Sequence, residues 1–202
     1  MAKDIESSKL SIRFCFEIEP FELETYSFPV DSSDRIRIVE MTSNSTLNDV
    51  GLLIGSLLEF NELPLNAQFI DALSKSKELA LVGGLSFRQN GLRISSSYCA
   101  DFQDWIFVVE EIKRRSSPWM GHDPSPWFEF EDDKIIIWSD EDSVENVYSI
   151  KFNQQQFTRQ IEIAKQELER FLQKVESWAR ENYKINPVEF TKGIRNYLLL
   201  TK

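Results

Sequence analysis

Apolar and polar residues alternate strictly near the start of the chain, which predicts a β-strand. The apolar positions are Leu10, Ile12, Phe14, Phe16 and Ile18. A period of two places successive side chains on opposite faces, so one face is expected to be buried and the other polar. Pro20 is expected to end this strand, and Arg35–Met41 is expected to form a second one.

Helical spacing replaces this alternation further along. Apolar residues of Leu47–Phe60 fall on one helical face, and Ser45 or Thr46 is suited to cap the helix. A shorter helix is predicted through Phe69, Ile70 and Leu73. Both segments are therefore expected to pack one face on a core.

Glycine and asparagine divide the next part of the chain. Gly83-Gly84 predicts a break between secondary-structure elements. A single domain over residues 1–202 is expected, with a possible subdivision near residue 83. Asn90-Gly91 lies between Leu85–Arg88 and Leu92–Ser95. Since both turn residues tolerate positive φ, this pair predicts a β-hairpin.

A helix, a loop and three strands are predicted next. Phe102–Arg115 has a helical apolar stripe and a basic last turn, which suits the helix dipole. Ser116–Pro126 is a loop rich in serine and proline. Trp127–Glu131 and Lys134–Trp138 form a hairpin across two aspartates, and Val147–Phe152 adds a third strand beside it.

The most regular pattern is a long C-terminal helix with a continuous apolar stripe. Its members are Phe157, Ile161, Ala164, Leu168, Phe171, Val175 and Trp178. The alternation of four- and three-residue steps is typical of an amphipathic helix. Its unequal side-chain sizes favour packing on a sheet over a coiled-coil dimer seam. Asn186-Pro187 then opens a short last helix.

Together these elements predict an α+β fold, in which helices and a long C-terminal amphipathic helix pack on a mostly antiparallel sheet. The chain has 202 residues with a formal net charge of −10 and a pI of about 4.8. This charge argues against binding to nucleic acid or to an anionic membrane. It suits a basic protein partner, although solubility alone also explains it.

Composition gives little sign of a cofactor or of secretion. The two cysteines do not form a Cys-x-x-Cys pair and there is one histidine, so no zinc site and no cofactor are expected. The polar residues Met1–Leu10 do not resemble a secretory signal, and the longest apolar run, Val50–Leu58, is too short to span a bilayer. A cytoplasmic location is therefore expected.

The segment Trp119–Glu145 is the most unusual in composition. From Glu129 to Glu145, eight of 17 residues are carboxylates, and three tryptophans lie within or beside this run. Tryptophan anchors with a charged rim are typical of a protein-binding surface. The candidate binding residues are Trp119, His122, Asp123, Trp127, Glu129, Glu131, Trp138, Asp140, Glu141 and Asp142. A solvated hairpin with its tryptophans in the core is the structural alternative.

Two other functions fit parts of the sequence. His122 with Asp123 and Asp140 could hold a metal ion or act as the acid–base pair of a hydrolase. The apolar stripe of the long helix could instead be the seam of a structural homodimer. No common nucleotide-binding or hydrolase motif is present, so the interpretation that the chain binds a protein and catalyses no reaction is preferred.

The Trp119–Trp127 loop, the strand end at Trp138-Ser139-Asp140-Glu141 and the helix from Phe157 resemble small acidic bacterial proteins of the toxin-immunity type. The resemblance spans Leu85–Ala179. It implies a protein that neutralises a toxin by covering its active site, with no catalytic residues of its own. Residues before Gly83 lie outside it.

Overall fold

The computed structural model describes residues 10–18, 37–75, 79–97, 99–140, 147–183 and 186–199. These ranges contain two antiparallel sheets and five α-helices, so the predicted α+β class is confirmed. The predicted strand end at Pro20, and the part of the second predicted strand before position 37, lie outside the described residues.

The first sheet has four strands in the order β2-β1-β3-β4. These are β1 (Ser11–Ile18), β2 (Arg37–Glu40), β3 (Gly83–Gln89) and β4 (Leu92–Ser95). The apolar side chains of β1 face the core, as the alternation predicted, and Phe14 and Phe16 are fully buried. Asn90 and Gly91 both have positive φ, which confirms the predicted turn between β3 and β4.

The prediction that Gly83 and Gly84 break the chain is wrong, because both glycines belong to β3. A Cβ atom at Gly83 would lie 2.4 Å from the carbonyl oxygen of Cys15, and one at Gly84 would lie 2.4 Å from Ser96 Oγ. Gly83 therefore allows close approach of the β1 backbone, and Gly84 leaves room for the Ser96 side chain. Since β1 pairs directly with β3, the chain on both sides of Gly83 builds one sheet.

The second sheet is the predicted three-stranded meander, in the order β5-β6-β7. Its strands are β5 (Trp127–Glu131), β6 (Lys134–Trp138) and β7 (Ser149–Asn153). Phe128 of β5 and Phe152 of β7 each contact the ring of Phe87, with centroid distances of 5.8 and 6.0 Å. These ring contacts join the two sheets within one buried apolar cluster.

Helices cover the core side of the sheets. They are α1 (Leu47–Phe60), α2 (Ala67–Lys75), α3 (Trp105–Lys113), α4 (Gln154–Asn182) and α5 (Pro187–Leu199). Thr46 caps α1 in a capping box with Asp49, and Asn153 caps α4 in the same way with Gln156. The helix predicted from Phe102 starts later, at Trp105, because Phe102–Asp104 forms a 3₁₀ turn capped by Asp101.

The apolar stripe of α4 is buried within the chain itself. Its seven positions are each at most 4% exposed, and α4 packs against β1, α1 and α5. The preference for a core helix over a coiled-coil seam therefore agrees with the structure. A homodimer of this protein would have to use another surface.

Candidate functional site

The candidate residues of β5 and β6 lie on the outer side of the second sheet. On β5, Phe128 points to the core, whereas Trp127, Glu129 and Glu131 alternate with it and point away. The strand register extends this outward set across all three strands. We call it the tryptophan face, and it consists of Trp127, Glu129, Glu131, Lys134, Ile136, Trp138, Ser149, Lys151 and Asn153.

A pair of stacked indoles forms one end of the tryptophan face. Trp127 and Trp138 are direct cross-strand partners, as the predicted turn requires. Their ring centroids are 5.4 Å apart and their planes are inclined by only 11°. Both side chains are half-buried, so the rings are neither sealed in the core nor fully in water. Such a pair is a preformed, rigid aromatic surface.

The charge of this face is more balanced than the sequence suggested. Glu131 lies opposite Lys134, and Glu129 is separated from Lys151 only by Ile136. The face therefore carries two glutamates and two lysines. Lys151 lies on the third strand, outside the acidic stretch of the sequence, so the sequence did not place it beside these glutamates. On the three described strands, the rim of the tryptophan face therefore carries both signs of charge.

The loop before β5 presents a second aromatic group. The Trp119 side chain is 49% exposed, and its ring lies edge-on to that of His122 with a centroid distance of 5.6 Å. The neighbouring Met120 is 1% exposed and anchors the loop in the core. Trp119 and His122 are therefore held at the surface by a buried residue between them.

Ser97 fixes this loop to the end of β4. Its backbone N–H donates to the carbonyl oxygen of Met120 at 3.0 Å, and its Oγ donates to the carbonyl oxygen of His122 at 2.6 Å. Gly121 has a φ of +106°, and a Cβ atom there would lie 2.2 Å from Ser97 Oγ. Only glycine allows this close approach without displacement of one partner. The aromatic pair thus sits on a loop with little freedom.

Two further hydrogen bonds tie the loop to the second sheet. Asp140 Oδ1 accepts from the N–H of Ser125 at 3.1 Å, and Ser117 Oγ accepts from the N–H of Phe128 at 2.9 Å. The second bond occupies a donor on the outer edge of β5, which reduces its capacity to pair with another strand. Asp140 is half-buried and holds the loop, so it is a positioning residue for the tryptophan face.

The structure distributes the predicted site over two ends of the hairpin. Trp127, Trp138 and Asp140 lie at one end, whereas Glu131 is four residues along β5, about 13 Å away at the usual rise per residue. Glu141 and Asp142 lie outside the described residues. The exposed carboxylates at Asp132 and Asp133 mark the far turn.

His122 and Asp140, two members of the alternative metal or acid–base site, make contacts in and around the loop before β5. Within the ranges that the structure describes, no group of three or more histidine, cysteine, aspartate or glutamate side chains could hold a metal ion. The His122 ring contacts Trp119, and one oxygen of Asp140 accepts from a backbone donor. These contacts explain both residues by their role in the loop.

The face of the first sheet that carries the alternate positions of β1 is partly buried, although the alternation predicted a polar face there. The polar positions of β1, including Cys15, line up there with Ser86, which is fully buried, and Arg88 donates to Glu40 at 2.5 Å. Burial raises the pKa of the Cys15 thiol to about 12, and Glu40 adds to the shift. This thiol is therefore protonated and unreactive at neutral pH.

No helix in the described part of the chain is both long and apolar enough to cross a membrane. Comparison of the chain with protein-family models, with curated proteins and with solved structures found no match.

Proposed function

We propose that this protein is a non-catalytic binding protein that docks another protein on the tryptophan face together with Trp119 and His122. The observation that carries the proposal is Trp119, which is half-exposed on a loop fixed by both sheets. A large exposed aromatic side chain on a rigid support is the typical anchor of a protein interface. The resemblance to toxin-immunity proteins suggests a toxin as the partner.

Rigidity of the anchors supports this function in energetic terms. Association costs free energy for every side chain and loop that becomes ordered, and a pre-ordered surface avoids most of that cost. The Trp127–Trp138 stack and the Ser97 hydrogen bonds hold three tryptophans in place before any partner arrives. This surface therefore needs little rearrangement to bind.

We expect charge to speed the encounter with the partner more than it stabilises the bound complex. The whole chain has a net charge of −10, which attracts a basic partner over distance. The tryptophan face is locally balanced by Lys134 and Lys151. We therefore expect long-range steering of a basic protein, followed by aromatic contacts at the face.

Reversal of one charge on the face tests this combination. We expect Glu129→Lys to lower the association rate constant by about two- to fivefold at low salt, and the loss should shrink as salt rises. The matched control is Glu181→Lys, at an exposed position near the end of α4, which changes the net charge equally. Equal slowing by both variants would show that no local docking face exists near Glu129.

The partner to use is the protein encoded by the gene directly upstream, expressed alone and together with this chain. The proposal expects that this product arrests growth, that coexpression relieves the arrest, and that the two purified proteins bind one another. Purified proteins that show no binding by calorimetry, or growth arrest that coexpression leaves unchanged, would contradict the toxin-neutralising function.

A further inference from the structure

The junction between the two sheets involves one edge strand of each. β4 is the last strand of the first sheet, and β7 is the last strand of the second. The outer edge of such a strand carries backbone N–H and C=O groups that no strand of its own sheet bonds. On both strands, a side chain from across the junction occupies one of these groups. Side chains therefore join the two edges.

Two hydrogen bonds cross this junction in opposite directions. The hydroxyl of Tyr148, which lies directly before β7, donates to the carbonyl oxygen of Arg93 on β4. In return, the side-chain oxygen of Gln89, at the end of β3, accepts from the N–H of Lys151 on β7 at 3.1 Å. We call this pair of bonds the clasp.

The clasp connects parts of the two sheets that are already held in place. The Tyr148 ring packs against the buried apolar cluster. Its carbonyl oxygen accepts from the N–H of Ser139 at 3.0 Å, and its own N–H donates to Ser139 Oγ at 3.1 Å. On the core side, Phe87 of β3 contacts Phe152 of β7 with ring centroids 6.0 Å apart. The clasp therefore spans a junction that is anchored on both sides.

Both bonds of the clasp lead directly to the tryptophan face. Tyr148 is bonded to Ser139, which follows Trp138 in the chain, and Lys151 is itself a member of that face. The loop that carries Trp119 is hydrogen-bonded to the end of β4 as well as to the second sheet. The relative position of the two sheets therefore sets the shape of the proposed docking surface.

We infer that the clasp is one cooperative device, which locks the second sheet onto the first and whose opening releases the edges of β4 and β7 together. Each bond keeps the two edges close enough for the other bond to form, so the loss of one weakens the other. A cavity of about 270 Å³, lined by Arg93, Asp123 and Tyr148 among others, lies at this place. Core packing therefore does not close the junction there, and the hydrogen bonds have to hold it.

Amide hydrogen exchange of the free protein, followed by NMR and measured relative to the amides of β1, tests the clasp. Gln89→Met removes the acceptor of the Lys151 N–H, so this amide should exchange about fivefold faster. Tyr148→Phe removes a hydroxyl to which Lys151 makes no bond, yet it should speed the Lys151 amide by about threefold or more. In return, Gln89→Met should speed the amide of Ser139, which is bonded to Tyr148.

Tyr183→Phe is the matched control for the loss of a hydroxyl. The Tyr183 hydroxyl, at the end of α4, has no hydrogen-bond partner among the described residues, so its removal should leave the Lys151 amide unchanged. The inference is overturned if Tyr148→Phe does not speed the Lys151 amide, or if Tyr183→Phe speeds it equally. This test uses no protein partner, so its failure leaves the proposed docking function untouched.

Discussion

Trp119→Ala should weaken partner binding by about 30-fold or more while the protein keeps its stability. Truncation of an interface tryptophan typically costs at least about 2 kcal/mol, which corresponds to this factor. The side chain is 49% exposed, so its loss leaves no cavity in the core. The measurement is a titration of the partner by calorimetry, together with a thermal denaturation curve of each protein.

The control for this variant is Phe60→Ala. Phe60 is 52% exposed at the end of α1, a helix that packs on α4 and β1. Its truncation removes a similar exposed aromatic surface, and partner binding should not change. If Phe60→Ala and Trp119→Ala weaken binding equally, the effect does not depend on the location of the aromatic ring.

Phe14→Ala should destabilise the fold by about 3–5 kcal/mol. Phe14 lies on β1, which pairs with both β2 and β3, and its side chain is fully buried. Its ring centroid is 5.1 Å from that of Trp105 and 5.9 Å from that of Phe102. The substitution therefore removes ring contacts and leaves a cavity, and both effects lower the free energy of unfolding. Chemical denaturation measures that free energy.

Phe107→Ala makes the same chemical change at an exposed position. Phe107 lies on α3 and is 69% exposed, so we expect its truncation to change the free energy of unfolding by less than about 0.5 kcal/mol. A loss for Phe14→Ala as small as that for Phe107→Ala would mean that β1 does not sit at the centre of the core.

Local patterns predicted most of the individual elements. The stripe of α4, the cap at Thr46 and the Asn90-Gly91 turn all depend on residues within a few positions of one another. Such features follow from helical period, capping and turn chemistry, which a sequence displays directly. The hairpin across Asp132-Asp133 was predicted for the same reason, and its register makes Trp127 and Trp138 cross-strand partners.

Features that depend on distant parts of the chain were not predicted. The pairing of β1 with β3 places Gly83 against the backbone of Cys15. The glycine pair therefore belongs to a strand, although the sequence suggested a break. The division into two sheets, and the position of Lys151 beside Ile136, also follow from tertiary pairing. Sequence periodicity carries no information on which strands become neighbours.

The same limit applies to the candidate site. The sequence identified Trp119, Trp127 and Trp138 as unusual, and the structure gives the exposure of each. The sequence could not show that Ser97 holds the loop at His122, 25 positions away, or that Arg93 and Asp123 line the same cavity. Those arrangements require the two sheets to meet.

Fluorine NMR of protein labelled with 5-fluorotryptophan tests the docking surface most directly, because the chain has five tryptophans. Three belong to the proposed surface, and the other two, Trp105 and Trp178, are 6% and 3% exposed in the core and act as internal references. On addition of the partner, the resonances of Trp119, Trp127 and Trp138 should shift while those of Trp105 and Trp178 stay in place. A saturated complex in which the three surface resonances do not move would contradict the proposed docking face.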